Sequence, residues 1–432
     1  MKSKRIICGL TALMMVLATA CGEIEIGSPE PAAQNSVTAP VSAEPEKPNK
    51  YDPTQLPPAE ESETFDKNAA SFSAELFKAA ALSDIEKGES VMISPVSVMA
   101  ALGMAAEGAG GSTLSEMAEV LYGGEQNAED FRNGILAVRQ HSAESEQARV
   151  NFANSVWYNK ADGIQPKQEF IDVLNSYYGA EFSGLAFNDE ALGKINGWVS
   201  ENTNGMIPSI IDCFEPNDEL LLVNAVAFEG EWACPYEDTD VIEEQRFTAA
   251  DGSERTVTML DSIENDYISG EGCEGFVKYY LGGKYAFMAV LPDEDVSLSD
   301  YVSGLNGDEL LELYGSRSRE DVIVRLPEFT TDYDTSLNES LEEMGIHEAF
   351  QNYADFSNMT DVGLEISRVL HKTHIEVDRK GTKAAAATAV MFDNEACIEE
   401  QPIKHTVILD RPFLYAIVDC ESGLPMFLGA YC

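Results

Sequence analysis

Apolar positions recur at helical spacing in three stretches of the first third of the chain, residues 71–81, 96–106 and 113–121, and each predicts a helix with one face against a core. Later the pattern tightens to short runs dense in Val, Leu, Ile and Phe. Residues 220–228, 286–291, 322–326 and 413–418 predict strands, and 374–378 and 405–409 alternate apolar with polar positions as half-buried strands do. From about residue 65 onward there is no internal repeat and no second low-complexity linker, so one mixed α+β domain with large sheets is expected. Between the last two alternating segments lies Gly381-Thr382-Lys383-Ala384-Ala385-Ala386-Ala387-Thr388-Ala389-Val390. In an extended chain, positions 382, 384, 386, 388, 390 and 392 share one face as Thr, Ala, Ala, Thr, Val and Phe, while Lys383 and Asp393 point the other way. A strand over 382–393 would span roughly 40 Å at about 3.3 Å per residue, enough to cross a large sheet. Helix propensity favours an alanine-rich helix capped by Thr382. The flanking strands favour instead a long exposed connection whose small residues offer little bulk against insertion into a sheet.

Composition narrows the partners. The chain has 432 residues, 44% of them hydrophobic, which supports a sizeable core. Lys and Arg number 28 against 75 Asp and Glu, a formal charge of -47, which argues against nucleic acid, heparin-like polyanions or an anionic lipid surface. Basic macromolecules fit better; solubility of an extracellular protein is the plainer reading of the same charge. At the N-terminus Lys2, Lys4 and Arg5 precede an apolar run over 6–20, too short to span a bilayer comfortably, which predicts an export signal over 1–20. Ala18-Thr19-Ala20-Cys21 resembles a bacterial lipobox, with Leu17 one step earlier than usual, and marks Cys21 for lipidation. Residues 21–62, rich in Pro, Glu, Ala and Ser, cannot bury enough apolar surface to order themselves and are expected to be a flexible stalk before a domain over 63–432. Cys213, Cys234, Cys273, Cys397, Cys420 and Cys432 are widely spaced, without the paired spacing of a zinc site, and their pairing is not readable.

An ordered series of blocks carries a family resemblance. Ile93-Ser94-Pro95-Val96-Ser97 leads to Gly108-Ala109-Gly110-Gly111-Ser112-Thr113. Ile195-Asn196-Gly197-Trp198-Val199, Leu222-Val223-Asn224-Ala225-Val226-Ala227-Phe228 with Trp232, and Leu326-Pro327-Glu328-Phe329 follow. Met344-Gly345-Ile346, Ala354-Asp355-Phe356-Ser357, His371-Lys372, the alanine run, Asp410-Arg411-Pro412-Phe413 and Phe427-Leu428-Gly429 complete it. Nearly the whole domain resembles a serpin. The resemblance implies a fold of three β-sheets with about eight to nine helices and an exposed reactive-centre loop. It implies a serine protease inhibitor that acts as a suicide substrate: the protease cuts the loop, forms an acyl-enzyme, and is trapped when the loop inserts into the central sheet. By the same resemblance Ser94, Ser97, Asn224 and His371 form the shutter beneath that sheet. Trp232 lies at the breach where insertion begins. Gly381, Thr382, Lys383, Ala384, Ala385, Ala386, Ala387 and Thr388 form the loop hinge. Arg379-Lys380 stand where inhibitory members commonly begin with glutamate, so an ion pair at the breach is expected to be missing, worth about 1 kcal/mol or less.

Counting from Gly381 by the usual loop length places the reactive bond between Glu395 and Ala396; counting back from Pro412 places it nearer Gln401. Glu395 suits a glutamate-specific protease, whereas Ala396, Cys397 or Ile398 at the cut would suit elastase-like or subtilisin-like enzymes. The alternatives are a non-inhibitory binding protein on the same fold, or an inhibitor of cysteine proteases. A hydrolase is disfavoured because neither a GxSxG elbow nor an HExxH motif occurs. His371 and His374 face opposite sides of a strand, which argues against a metal pair. No cofactor and no catalytic residue is implied. The protein is expected to be exported, lipid-anchored on the outer cell surface or secreted, and monomeric.

Overall fold

The computed structural model describes residues 58–59, 62–144, 147–382 and 403–432. The first apolar pattern becomes α1 (Glu63–Glu86), which starts where the Ser62 hydroxyl oxygen accepts the Phe65 amide. Helix α2 (Pro95–Gly108) is apolar on every side, and all its residues but Glu107 are buried. Helices α3 (Gly111–Tyr122), ending at the left-handed Gly123, and α4 (Ala128–Glu144) close the N-terminal helical layer. The remaining helices among the described residues are α5 (Gln168–Val173), α6 (Asp189–Asn202), α7 (Leu298–Gly304), α8 (Gly307–Gly315) and α9 (Asn338–Glu343). The three expected helices therefore exist, each longer than its periodic run, because the caps lie beyond the last apolar position.

The strands are β1 (Val91–Ile93), β2 (Ala148–Asn159), β3 (Glu181–Leu185), β4 (Leu220–Glu231), β5 (Val241–Thr248), β6 (Glu254–Glu264), β7 (Asp266–Gly270) and β8 (Cys273–Tyr279). They continue with β9 (Tyr285–Pro292), β10 (Val322–Pro327), β11 (Phe329–Ser336), β12 (Ile366–Val377), β13 (Gly381–Thr382), β14 (His405–Ile408), β15 (Phe413–Asp419) and β16 (Pro425–Tyr431). They form three sheets, so the α+β expectation holds. One sheet runs β1-β16-β15-β9-β8-β7, and its strands β9, β15 and β16 are buried along their whole length, as unbroken apolar runs require. A four-stranded sheet runs β14-β10-β6-β5. The central sheet runs β11-β12-β13-β4-β2-β3, with β12 also paired directly to β4.

Both faces of the central sheet are covered. Helix α2 packs beneath it as part of the main core. Helix α6 lies over the other face, where Ile195 and Val199 meet Ala153, Trp157, Leu221, Val223, Ala225 and Leu370 in a second apolar cluster. Any rearrangement of β4 against β12 therefore has to slide under α6 and over α2.

Candidate functional site at the central seam

Strands β4 and β12 run parallel, paired from Ile366 opposite Leu220 to His374 opposite Ala227. Beyond that they part, and the gap at the open end is filled by β13. Gly381 lies opposite Glu231, Thr382 opposite Gly230, and Thr382 also opposite Val377, antiparallel to both neighbours. A parallel pair is somewhat weaker per residue than an antiparallel one. A longer strand continuing β13 would exchange one parallel ladder for two antiparallel ladders.

The two residues of β13 are fixed by close contacts. A Cβ on Gly381 would come 2.1 Å from the Gly230 carbonyl oxygen, so only glycine fits this position. Thr382 is fully buried, and its hydroxyl lies 2.7 Å from the Tyr280 hydroxyl. The turn before it is an Asx turn: the Asp378 carboxylate accepts from the amides of Lys380 at 2.7 Å and Gly381 at 3.1 Å. Trp232, buried and stacked on Tyr280 at 4.5 Å, donates its indole N–H to the Asp378 carbonyl at 2.8 Å and its amide to the Lys380 carbonyl at 2.9 Å. The Tyr236 amide donates to the Arg379 carbonyl at 2.9 Å. The charge at position 379 is not idle: Arg379 pairs with Asp238 at 2.5 Å, both side chains well exposed, so the contact contributes little to stability.

Halfway down the seam the sheet and α2 share a buried polar network. His371 faces Asn224 across the β4–β12 pairing, and Asn224 faces Asn154 across β4–β2. The His371 Nε2 accepts the Ser94 amide at 3.2 Å, so the neutral ring carries its proton on Nδ1 and donates to the Asn224 Oδ1 at 2.5 Å. The Asn224 amide group donates to the Ser97 hydroxyl at 2.5 Å and to the Asn154 Oδ1. Ser97 in turn donates to the Asn154 Oδ1 at 3.0 Å, and Asn154 donates to the Ser97 carbonyl at 3.3 Å. Ser94 stands at the cap position of α2, yet its hydroxyl donates to the Met426 carbonyl at 2.7 Å. Burial without a counter-charge pushes the His371 pKa down to about 3. His371 is therefore held neutral at physiological pH.

The structure thus brings Ser94, Ser97, Asn224 and His371 into one cluster, and Gly381, Thr382 and Trp232 into another at the open end of the same seam. Lys383, Ala384, Ala385, Ala386, Ala387, Thr388, Glu395, Ala396, Cys397, Ile398 and Cys21 lie outside the described residues, as do the expected export signal over 1–20 and most of the expected stalk over 21–62. Cys213, Cys234, Cys273, Cys420 and Cys432 are free thiols. His374 points away from His371 to Asp332 at 2.6 Å, as strand alternation requires. Among the described residues no His, Cys, Asp and Glu side chains group as a metal site, and no helix is long and apolar enough to cross a membrane. Sequence reasoning did not single out Asn154 or Tyr280. An asparagine on β2 and a tyrosine just past β8 carry no local signal, and both gain their place only from tertiary packing.

A family model described as Serpin (serine protease inhibitor) matches residues 67–432. An uncharacterized serpin-like protein of Thermococcus kodakarensis is 30% identical over 366 residues, covering 83% of this chain and 83% of its own. Neuroserpin of Mus musculus is 30% identical over 359 residues, covering 79% of this chain and 85% of its own. Among solved structures, the thermophilic serpin tengpin in its native state matches with a TM-score of 0.79 at 37% identity, over 87% of this chain and 95% of that one.

Proposed function

Because the chain belongs to the serpin family, whose members are in general protease inhibitors and not enzymes, we propose that it inhibits a serine protease as a suicide substrate. The observation that carries this reading is β13, seated antiparallel between two parallel neighbours at the mouth of the seam. In the proposed reaction the protease's serine attacks the carbonyl carbon of Glu395, the amide to Ala396 breaks as the serine's proton passes through the protease's own base to the new Ala396 amine, and that end leaves the protease's site while β14, β15 and β16 stay in their sheets. The ester to Glu395 remains while residues from Lys383 onward extend β13 down the seam. Continuing the register from Thr382 would bring Thr388 opposite both Asn224 and His371, and residue 392 opposite Leu220, the first residue of β4. The length of the sheet thus suits a cut at 395. Thr388 would stand where the His371–Asn224 bond now closes the seam, so that bond must break during insertion.

The acidic composition and the signal-like pattern over 1–20 ending at Cys21 support placing this inhibitor on the outer cell surface, lipid-anchored through the expected stalk over 21–62 or released, acting as a monomer on proteases from outside. The test mixes the full chain with elastase-like, subtilisin-like and glutamate-specific serine proteases. A denaturant-resistant covalent complex is expected, with the cut located by mass spectrometry. Thr382→Arg would put a long charged side chain into the fully buried site beside Tyr280 and is expected to turn the inhibitor into a substrate. Unchanged complex formation by that variant would sink the insertion mechanism.

A further inference from the structure

Behind the breach lies a buried ion pair. Lys278 on β8 is 2% exposed, and its ammonium group lies 2.7 Å from the carboxylate of Glu264, 9% exposed, at the end of β6. Glu264 also accepts from the Ser262 hydroxyl at 2.7 Å, and the same hydroxyl reaches the Tyr236 hydroxyl at 3.4 Å. The ammonium faces two rings of one segment, Tyr236 at 4.3 Å and Trp232 at 5.5 Å from their centroids. Those two residues supply the three hydrogen bonds that tie the 378–380 turn, itself closed by the Asp378 carboxylate, to the neighbouring segment: the Trp232 amide, the Trp232 indole N–H and the Tyr236 amide. Desolvating two charges is costly, and apolar residues of similar volume serve stability as well or better. A charge pair buried here is not explained by stability alone.

We propose that Lys278 and Glu264 are positioning residues: the pair clamps the Trp232–Tyr236 segment against the hinge turn, keeps β13 seated, and so sets how fast the cut loop inserts. The inference rests on the inhibitory reading above. With Thr382 already paired to both β12 and β4, and Gly381 to β4, insertion starts from an existing nucleus. If the clamp is lost, the turn frays and that nucleus has to form again before deacylation frees the protease.

The experiment compares the full chain with the double variant Lys278→Met, Glu264→Leu, which removes both charges and leaves neither one stranded. Thermal unfolding reports stability, amide hydrogen exchange over 378–382 reports the seating of the hinge, and the gain of heat resistance after a loop cut by subtilisin reports insertion. The double variant is expected to keep the parent Tm while exchange over 378–382 quickens about tenfold and insertion slows about tenfold, the effect of losing about 1.4 kcal/mol of anchoring. Parent-like exchange and insertion in that variant would overturn the proposal, since the pair would then be packing alone. Should the double variant fail to fold, Tyr236→Leu removes the nearer ring and leaves both charges; it is expected to show the same faster exchange, and parent-like exchange there overturns the proposal equally. The charge-keeping Lys278→Arg is expected to retain parent rates. Absence of any covalent complex with the parent chain would count against the inhibitory reading only, because the exchange measurement needs no target protease.

Discussion

Acid should open the seam through His371. In the closed sheet its pKa lies at about 3, against about 6.5 for a free histidine. A proton is therefore bound more readily once the strands have parted, and the closed form is fully stable above pH 6.5 and weakens as pH falls toward 3. The difference of about 3.5 pKa units corresponds to about 5 kcal/mol over the full window. Between pH 7 and pH 5 the open form gains about 1.4 of those units, about 2 kcal/mol, or a factor of about 25 in the opening equilibrium. His141 adds nothing to the acid loss and opposes it between pH 7 and the ordinary histidine pKa. Its pKa is raised by the hydrogen bond and charge of Asp419, so its stabilising contribution is fully present below the ordinary histidine pKa and is lost only at higher pH. The assay is the rate of unfolding in fixed urea from pH 7 to pH 5, for the parent and for His371→Gln, which hydrogen-bonds but does not titrate here. An increase approaching 25-fold is expected for the parent and a nearly flat profile for the variant. Equal pH slopes in both, or an NMR titration of His371 near pH 6 in the folded protein, would refute the reasoning.

Two further perturbations probe the same seam. Asn154→Ala removes an acceptor shared by Ser97 and Asn224 and strands buried donors, which costs about 1–3 kcal/mol; thermal unfolding should show the loss, and an unchanged Tm would mean water or Ser97 takes over the bonds. Gly381→Ala puts a methyl group onto the Gly230 carbonyl oxygen and should unseat β13, so that the 381–382 amides lose hydrogen-exchange protection while the sheet core keeps it.

Much of this was legible in the sequence, and the limits are physical. Buried strands such as β4 and β9 announce themselves because residues covered on both faces must be apolar, and Gly381 stands out because no other residue could sit against Gly230. Ser94, Ser97, Asn224 and His371 are picked out by their place in an ordered series of blocks, and hydrogen bonds join them in one cluster. Lys278 and Glu264 were not legible. A lysine between Val277 and Tyr279 reads as an outward strand residue, and only the packing of β8 near the end of β6 shows it turned inside. Arg379 read as a missing ion pair; its partner Asp238 is 141 positions away, and no local pattern links them. Pairings of that separation depend on tertiary register, which periodicity does not encode.

The seating of β13 also determines the order in which the sheet would change. With Thr382 held by β4 and β12 and Gly381 by β4, a growing strand meets the seam like the slider of a zip, and each step forward closes bonds to β4 and β12 together. Progress of this kind runs from one end and does not start in the middle. Substitutions near Gly381 and Thr382 should therefore govern speed, while those near Leu220 and Ile366, met last, should govern only how firmly the finished sheet is closed.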